Sequence, residues 1–100
     1  MIGAVIVLAG VQDGKAALVY YYRGNANYFL GQYEDALADY SAVLAMEPAN
    51  AAALYNRGNA YRKKEMTEAA IADYTAALAL NPRLANAYAN RGDEYARLLQ

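Results

Sequence analysis

The sequence predicts an all-α fold built by stacking one helical unit, and two observations carry that prediction. The first is composition: 24 of the 100 residues are alanine and only two are proline, and alanine loses no side-chain entropy in a helix. The second is a period. Moving the chain by 34 residues lays Tyr21 on Tyr55, the run 23–26 on 57–60, Glu34 on Glu68, Ala36 on Ala70, and Ala38, Asp39 and Tyr40 on Ala72, Asp73 and Tyr74. Ala42, Leu44, Ala45 and Pro48 then fall on Ala76, Leu78, Ala79 and Pro82. So many coincidences at one offset are the mark of a stacked supersecondary unit.

Each unit reads as helix, tight turn, helix. The first stripe runs Tyr20, Gly24, Asn27, with copies at Leu54, Gly58, Tyr61 and at Tyr88, Gly92, Tyr95. The second runs Ala36, Leu37, Tyr40, Val43, Leu44 and again Ala70, Ile71, Tyr74, Ala77, Leu78. Spacings of three and four put each set on one helical face. Between the stripes, Gly31 suits a left-handed helix end and Thr67 is expected to cap the next start. Pro48 and Pro82 close the pairs, since proline cannot continue a helix, and Asn50 is placed to cap the helix that follows. The expected helices are 17–30, 34–46, 51–64, 67–80 and 85–98. The last has no partner helix in the sequence.

A glycine inside a helix costs about 1 kcal/mol relative to alanine. Gly24 and Gly58 recur on the stripe that faces the paired helix, so the expectation is close helix contact that a side chain would prevent.

These residues resemble the tetratricopeptide repeat family. A large residue, glycine four on, an aromatic three further, then alanine, aromatic, small residue and proline appear in order as Leu54, Gly58, Tyr61, Ala70, Tyr74, Ala77 and Pro82. The first unit supplies Tyr20, Gly24, Ala36, Tyr40 and Pro48, with Asn27 and Val43 as departures. The resemblance implies a right-handed α-solenoid of antiparallel helix pairs, about two and a half repeats. Its expected divisions are 17–50, 51–84 and a first helix of a third repeat, or a capping helix, at 85–100.

Residues 1–16 stand apart. "MIGAVIVLAGV" carries about ten apolar residues, short of the roughly 20 that a membrane helix requires, and no basic residue precedes them as in an export signal. A degenerate helix, a tail packed on the first repeat and a signal remnant all remain open. The expected location is the cytoplasm, or an exported one if 1–11 derives from a signal segment.

Charge and chemistry narrow the function. Nine basic against ten acidic residues give a formal net charge of −1, so no overall field draws in nucleic acid. With neither cysteine nor histidine, thiol nucleophiles, imidazole acid/base chemistry and the usual zinc ligands are absent. No catalytic constellation, metal or cofactor is expected, and the chain reads as a binding module.

Arg23 and Arg57 lie sixteen residues before Asp39 and Asp73. That repeated offset suggests a half-exposed ion pair across each helix pair, contributing about 0 to 1 kcal/mol. Arg91 has no such aspartate. The resemblance implies that the first helix of each pair lines a concave surface, where stacked repeats bind partners. That places Tyr21, Tyr22, Asn25, Tyr28 and Phe29, then Tyr55, Asn56, Asn59, Arg62 and Lys63, then Asn86, Asn90 and Asp93 in a groove. Amides that both donate and accept suit the backbone of an extended peptide, and tyrosines add contact area. Some members of the family grip the acidic C-terminus of a chaperone with a clamp of two lysines, an arginine and two asparagines. Asn25 and Asn56 match its amides, but Tyr21, Asn86 and Asn90 stand where its cations belong, so that ligand is not expected. The alternative is self-association through the uncovered last helix, whose Tyr95, Leu98 and Leu99 have no cover. The partner is thus a protein or peptide, or a second copy.

Overall fold

A computed structural model describes residues 15–100. The readings of residues 1–14, including the signal remnant, lie outside it. Five helices follow one another: α1 Lys15–Phe29, α2 Tyr33–Met46, α3 Ala51–Lys63, α4 Thr67–Leu80 and α5 Ala85–Leu98. There is no strand among the described residues. Each helix packs chiefly on its neighbours in sequence, with lighter contact from α1 to α3 and from α3 to α5. The array measures 46 × 26 × 17 Å. No described helix is long and apolar enough to cross a membrane.

The core is made of alanine and tyrosine. Tyr40 and Tyr74 are 1% and 0% exposed. Tyr40 packs with Ala36 and Ala60, and Tyr74 with Ala70, Leu78 and Ala87. Ala17, Val43 and Ala53 form a third cluster toward the N-terminal end. Each buried ring lies over a glycine of the preceding helix. A Cβ on Gly24 would fall 2.8 Å from Tyr40 Cε1, and one on Gly58 would fall 2.8 Å from Tyr74 Cε1. Both distances are below contact, so the ring occupies the space a side chain would take. The lost helix propensity is small beside the burial of a tyrosine ring.

The turns are where the sequence reading needs correction. Asn50 caps α3 through its side chain, which accepts from Ala53 N at 2.9 Å. Thr67, however, is the first residue of α4; Met66 takes the cap position and offers no side-chain acceptor. The first turn places Gly31 at φ 77°, and its counterpart one period later is Glu65 at φ 59°. The turn therefore demands a left-handed residue there. Glycine meets this demand freely, whereas glutamate carries strain of about 1 kcal/mol or more. α1 already includes Lys15 and Ala16, ahead of the expected start at 17.

Candidate functional site

The site begins with the two latches that hold each pair. Arg57 donates through Nε to Asp73 Oδ2 at 2.7 Å and through Nη2 to Asp73 Oδ1 at 2.9 Å. Arg23 reaches Asp39 through Nη2 at 2.8 Å, and Asn27 Nδ2 adds a bond to Asp39 Oδ2 at 3.0 Å. The departure at Asn27 thus has a local role: its amide helps hold the aspartate where Tyr61 packs in the next repeat. Both acids are nearly buried, at 5% and 8% side-chain exposure, while Arg23 is 51% exposed and Arg57 22%. The Arg57–Asp73 pair is more enclosed than a half-exposed surface pair, so removing Arg57 strands a buried charge, whereas Arg23 is half exposed. Their hydrogen bonds to the aspartates hold both guanidinium groups above the ordinary arginine range.

On the opposite side of the same helices runs a ladder of amides and phenols. Tyr40 Oη donates to Asn25 Oδ1, and Asn56 Nδ2 donates to Tyr21 Oη at 3.0 Å and to Asn25 Oδ1 at 3.2 Å. One period later, Tyr74 Oη donates to Asn59 Oδ1, and Asn90 Nδ2 donates to Tyr55 Oη at 3.4 Å and to Asn59 Oδ1 at 3.1 Å. The ladder joins α1 to α3 and α3 to α5. Burial pushes the Tyr40 and Tyr74 phenols well above their ordinary range near 10, so both are donors at any physiological pH.

Each asparagine in the ladder is half engaged. The carboxamide oxygens of Asn25 and Asn59 are occupied twice over, while their Nδ2 groups have no partner among the described residues. Asn56 and Asn90 show the reverse, with Nδ2 engaged and Oδ1 open. Donors and acceptors therefore alternate along the helices. A cleft of about 190 Å³ is lined by Asn25, Tyr28, Phe29, Tyr40, Asn56 and Asn59. A second of about 560 Å³ is lined by Tyr28, Tyr55, Asn59, Arg62, Lys63, Glu65, Asn90 and Arg97. Tyr28 and Asn59 belong to both, so the two clefts are continuous.

Other expected groove residues fall elsewhere. Tyr22 lines a depression at the α1 end with Leu18 and Glu47, and Tyr21, whose Oη belongs to the ladder, lines it too. Asn86 is exposed on α5 and lines neither cleft. Asp93 is exposed and accepts from Arg62 Nη2 at 3.0 Å. Sequence reasoning left out Tyr40, whose place in the core stripe hid its position at the cleft floor. It also left out Glu94, which is 0% exposed and stands one period after Ala60. Its Oε2 lies 3.3 Å from the Nε atoms of both Arg62 and Arg97. The break in the period from alanine to glutamate was the available signal.

Stacked antiparallel helix pairs of 34 residues, with a continuous amide-lined groove on one side, define a helical-repeat binding scaffold. The chain belongs to the tetratricopeptide repeat family. The family model described as Tetratricopeptide repeat matches residues 51–84, and that described as TPR repeat matches 24–65. Among solved structures, the first TPR of Spaghetti (RPAP3) bound to the HSP90 peptide SRMEEVD is similar at 31% identity and a TM-score of 0.82. That match covers 86% of this chain and 68% of the other. The second TPR of the same protein, bound to the same peptide, is 35% identical with a TM-score of 0.80, covering 82% and 76%. No curated protein matches this sequence significantly.

Proposed function

We propose that the chain is a non-catalytic interaction module that holds an extended peptide segment of a partner protein in the groove lined by α1, α3 and α5. The observation that carries this reading is the alternation of half-engaged amides. Open Nδ2 groups on Asn25 and Asn59 and open Oδ1 atoms on Asn56 and Asn90 match the alternating carbonyls and N–H groups of an extended backbone. The ladder fixes these side chains before a ligand arrives, which lowers the ordering cost of binding. In this reading residues 17–50 and 51–84 are complete units and 85–100 is the first helix of a third. That two similar domains hold a peptide supports the ligand class.

The groove differs in chemistry along its length. Phe29 is 85% exposed beside Tyr28 at one end, and Lys63 stands with Arg62 and Arg97 at the other. Arg62 and Arg97 are shared with Asp93 and Glu94, so Lys63 is the most available cation there. The ligand is then a segment with an apolar anchor near Phe29 and an acidic residue near Lys63. The positions Tyr21, Asn86 and Asn90 supply no cations for a terminal carboxylate.

Peptides selected from a display library against the full chain provide the test. Asn25→Asp plus Asn59→Asp keeps the acceptors that the ladder needs and removes the open donors. Selected peptides should bind this variant at least tenfold more weakly, on the order of 1.4 kcal/mol or more, while its helical content stays unchanged. Equal affinity for wild type and variant would rule the groove out as the peptide site.

A further inference from the structure

Position 94 breaks the repeat. The residues one and two periods before Glu94 are Ala60 and Ala26, and Ala60 is wholly buried where α3 packs on Ala36 and Tyr40 of α2. Glu94 fills the equivalent slot of α5 and is buried as completely. A carboxylate in an alanine position is costly unless it is compensated, and neither of its oxygens makes a well-formed hydrogen bond among the described residues. Its compensation is an ion pair on one oxygen. Oε2 lies 3.3 Å from Arg62 Nε and 3.3 Å from Arg97 Nε, and both arginines line the wider cleft of the groove.

The other acids at that end hold the same arginines differently. Asp93 meets Arg62 Nη2 at 3.0 Å and Glu65 meets Arg97 Nη1 at 3.9 Å, but their side chains are 64% and 80% exposed. An exposed acid can turn to solvent at little cost when a ligand anion arrives. Glu94 cannot. Its head is enclosed, so its charge stays beside the two guanidinium groups whatever enters the cleft, and burial leaves that charge poorly screened. Lys63, exposed on the same cleft, takes part in none of these pairs.

We propose that Glu94 is a specificity-determining residue of the groove: a built-in counter-ion that neutralises Arg62 and Arg97, so that the cleft takes a segment with a single acidic residue, seated at Lys63, and rejects a cluster of acids. This inference rests on the reading of the groove as a peptide site. With Glu94 in place, the cations Arg62, Lys63 and Arg97 are balanced by Glu65, Asp93 and Glu94. Without it one positive charge is left over, and the two exposed acids that remain can move aside. The arginines then become available to a second and a third ligand carboxylate.

Two titrations of the full chain test this, each with Glu94→Ala, which restores the residue of the earlier repeats, and with Glu94→Gln, which keeps the volume and removes the charge. In the first, inorganic phosphate is added while the Nε–Hε resonances of Arg62 and Arg97 are followed by NMR. They should shift and saturate in both variants, with no saturation in wild type at the same concentrations. In the second, a library-selected groove peptide is compared with a version carrying two further aspartates beside its acidic residue. Wild type should bind the second peptide no more tightly than the first, whereas each variant should bind it at least about tenfold more tightly, because a fixed like charge has been removed. Loosened packing would weaken both peptides alike, so the ratio of affinities reads charge. The proposal is overturned if phosphate fails to reach the arginines in both variants, or if the ratio keeps its wild-type value; a peptide that still binds with that ratio leaves the groove reading standing. If no selected peptide engages the groove, that reading fails, and the phosphate titration still decides whether Glu94 withholds the arginines.

Discussion

Gly58 and Gly92 occupy one position in two copies of the same motif, yet their surroundings are opposite. Over Gly58 the Tyr74 ring stands where a Cβ would go; over Gly92 nothing described comes within 4 Å. The neighbouring arginines divide in the same way, Arg57 holding Asp73 while Arg91 bonds to Thr75, lies over Tyr88 and Tyr95, and meets no acid among the described residues. A repeated residue thus has no fixed energetic meaning. Its worth depends on whether the helix it was shaped to receive is in place.

The largest effect should come from the glycines themselves. Gly58→Leu forces a side chain into the Tyr74 ring and should destabilise by about 3 kcal/mol or more. Gly92→Leu meets no ring and removes a poor helix former, so it should leave stability unchanged or raise it by up to about 1 kcal/mol. Urea unfolding followed by circular dichroism gives both values, and similar losses for the two would erase the distinction between the covered and uncovered copies.

The latches come next. Arg57→Leu leaves Asp73 buried without its cation and should cost about 2 to 3 kcal/mol. Arg23→Leu should cost about 1 kcal/mol, because Arg23 is half exposed and Asn27 still donates to Asp39. Adding Asn27→Ala to Arg23→Leu should bring the first repeat's loss up to that of the second, measured by the same melts.

The buried phenols predict a response to alkali. Tyr40 and Tyr74 have folded-state values raised above the unfolded value near 10 by burial. Above pH 10 the unfolded chain therefore releases protons that the folded chain retains, and stability falls as pH rises; below pH 10 these groups contribute no slope. Tyr74→Phe should shift the alkaline unfolding midpoint upward, as read by ellipticity and tyrosinate absorbance together. The smallest change should come from Glu65→Gly, which relieves the left-handed strain at φ 59° and should stabilise by up to about 1 kcal/mol.

Much of this architecture could be read from the chain. The 34-residue period placed all five helices, and the family's pattern supplied their arrangement in space. Turn chemistry was less legible. Thr67 has the composition of a cap but begins the helix, and Glu65 inherits the backbone of Gly31 without its freedom. Most residues that line the two clefts could be picked out in the sequence, but not the network that joins them. Nothing in the spacing of Tyr21, Asn25, Tyr40 and Asn56 says that one carboxamide oxygen accepts two hydrogen bonds, because one bond joins the two helices of a repeat 15 residues apart and the other crosses to the next repeat 31 residues away. Glu94 escaped for a related reason. A glutamate reads as surface until Arg62 and Arg97 close over it.

The central claim is that the amide-lined groove holds the partner's peptide. Side-chain amide resonances of Asn25, Asn56, Asn59 and Asn90, followed by heteronuclear NMR during titration with a library-selected peptide, test it most directly. These resonances should shift together and saturate at one stoichiometry, with Tyr28 and Phe29 moving alongside them. Shifts confined to residues on the far side of the helices, such as Ser41 and Thr75, with the four asparagines unmoved at saturation, would contradict it.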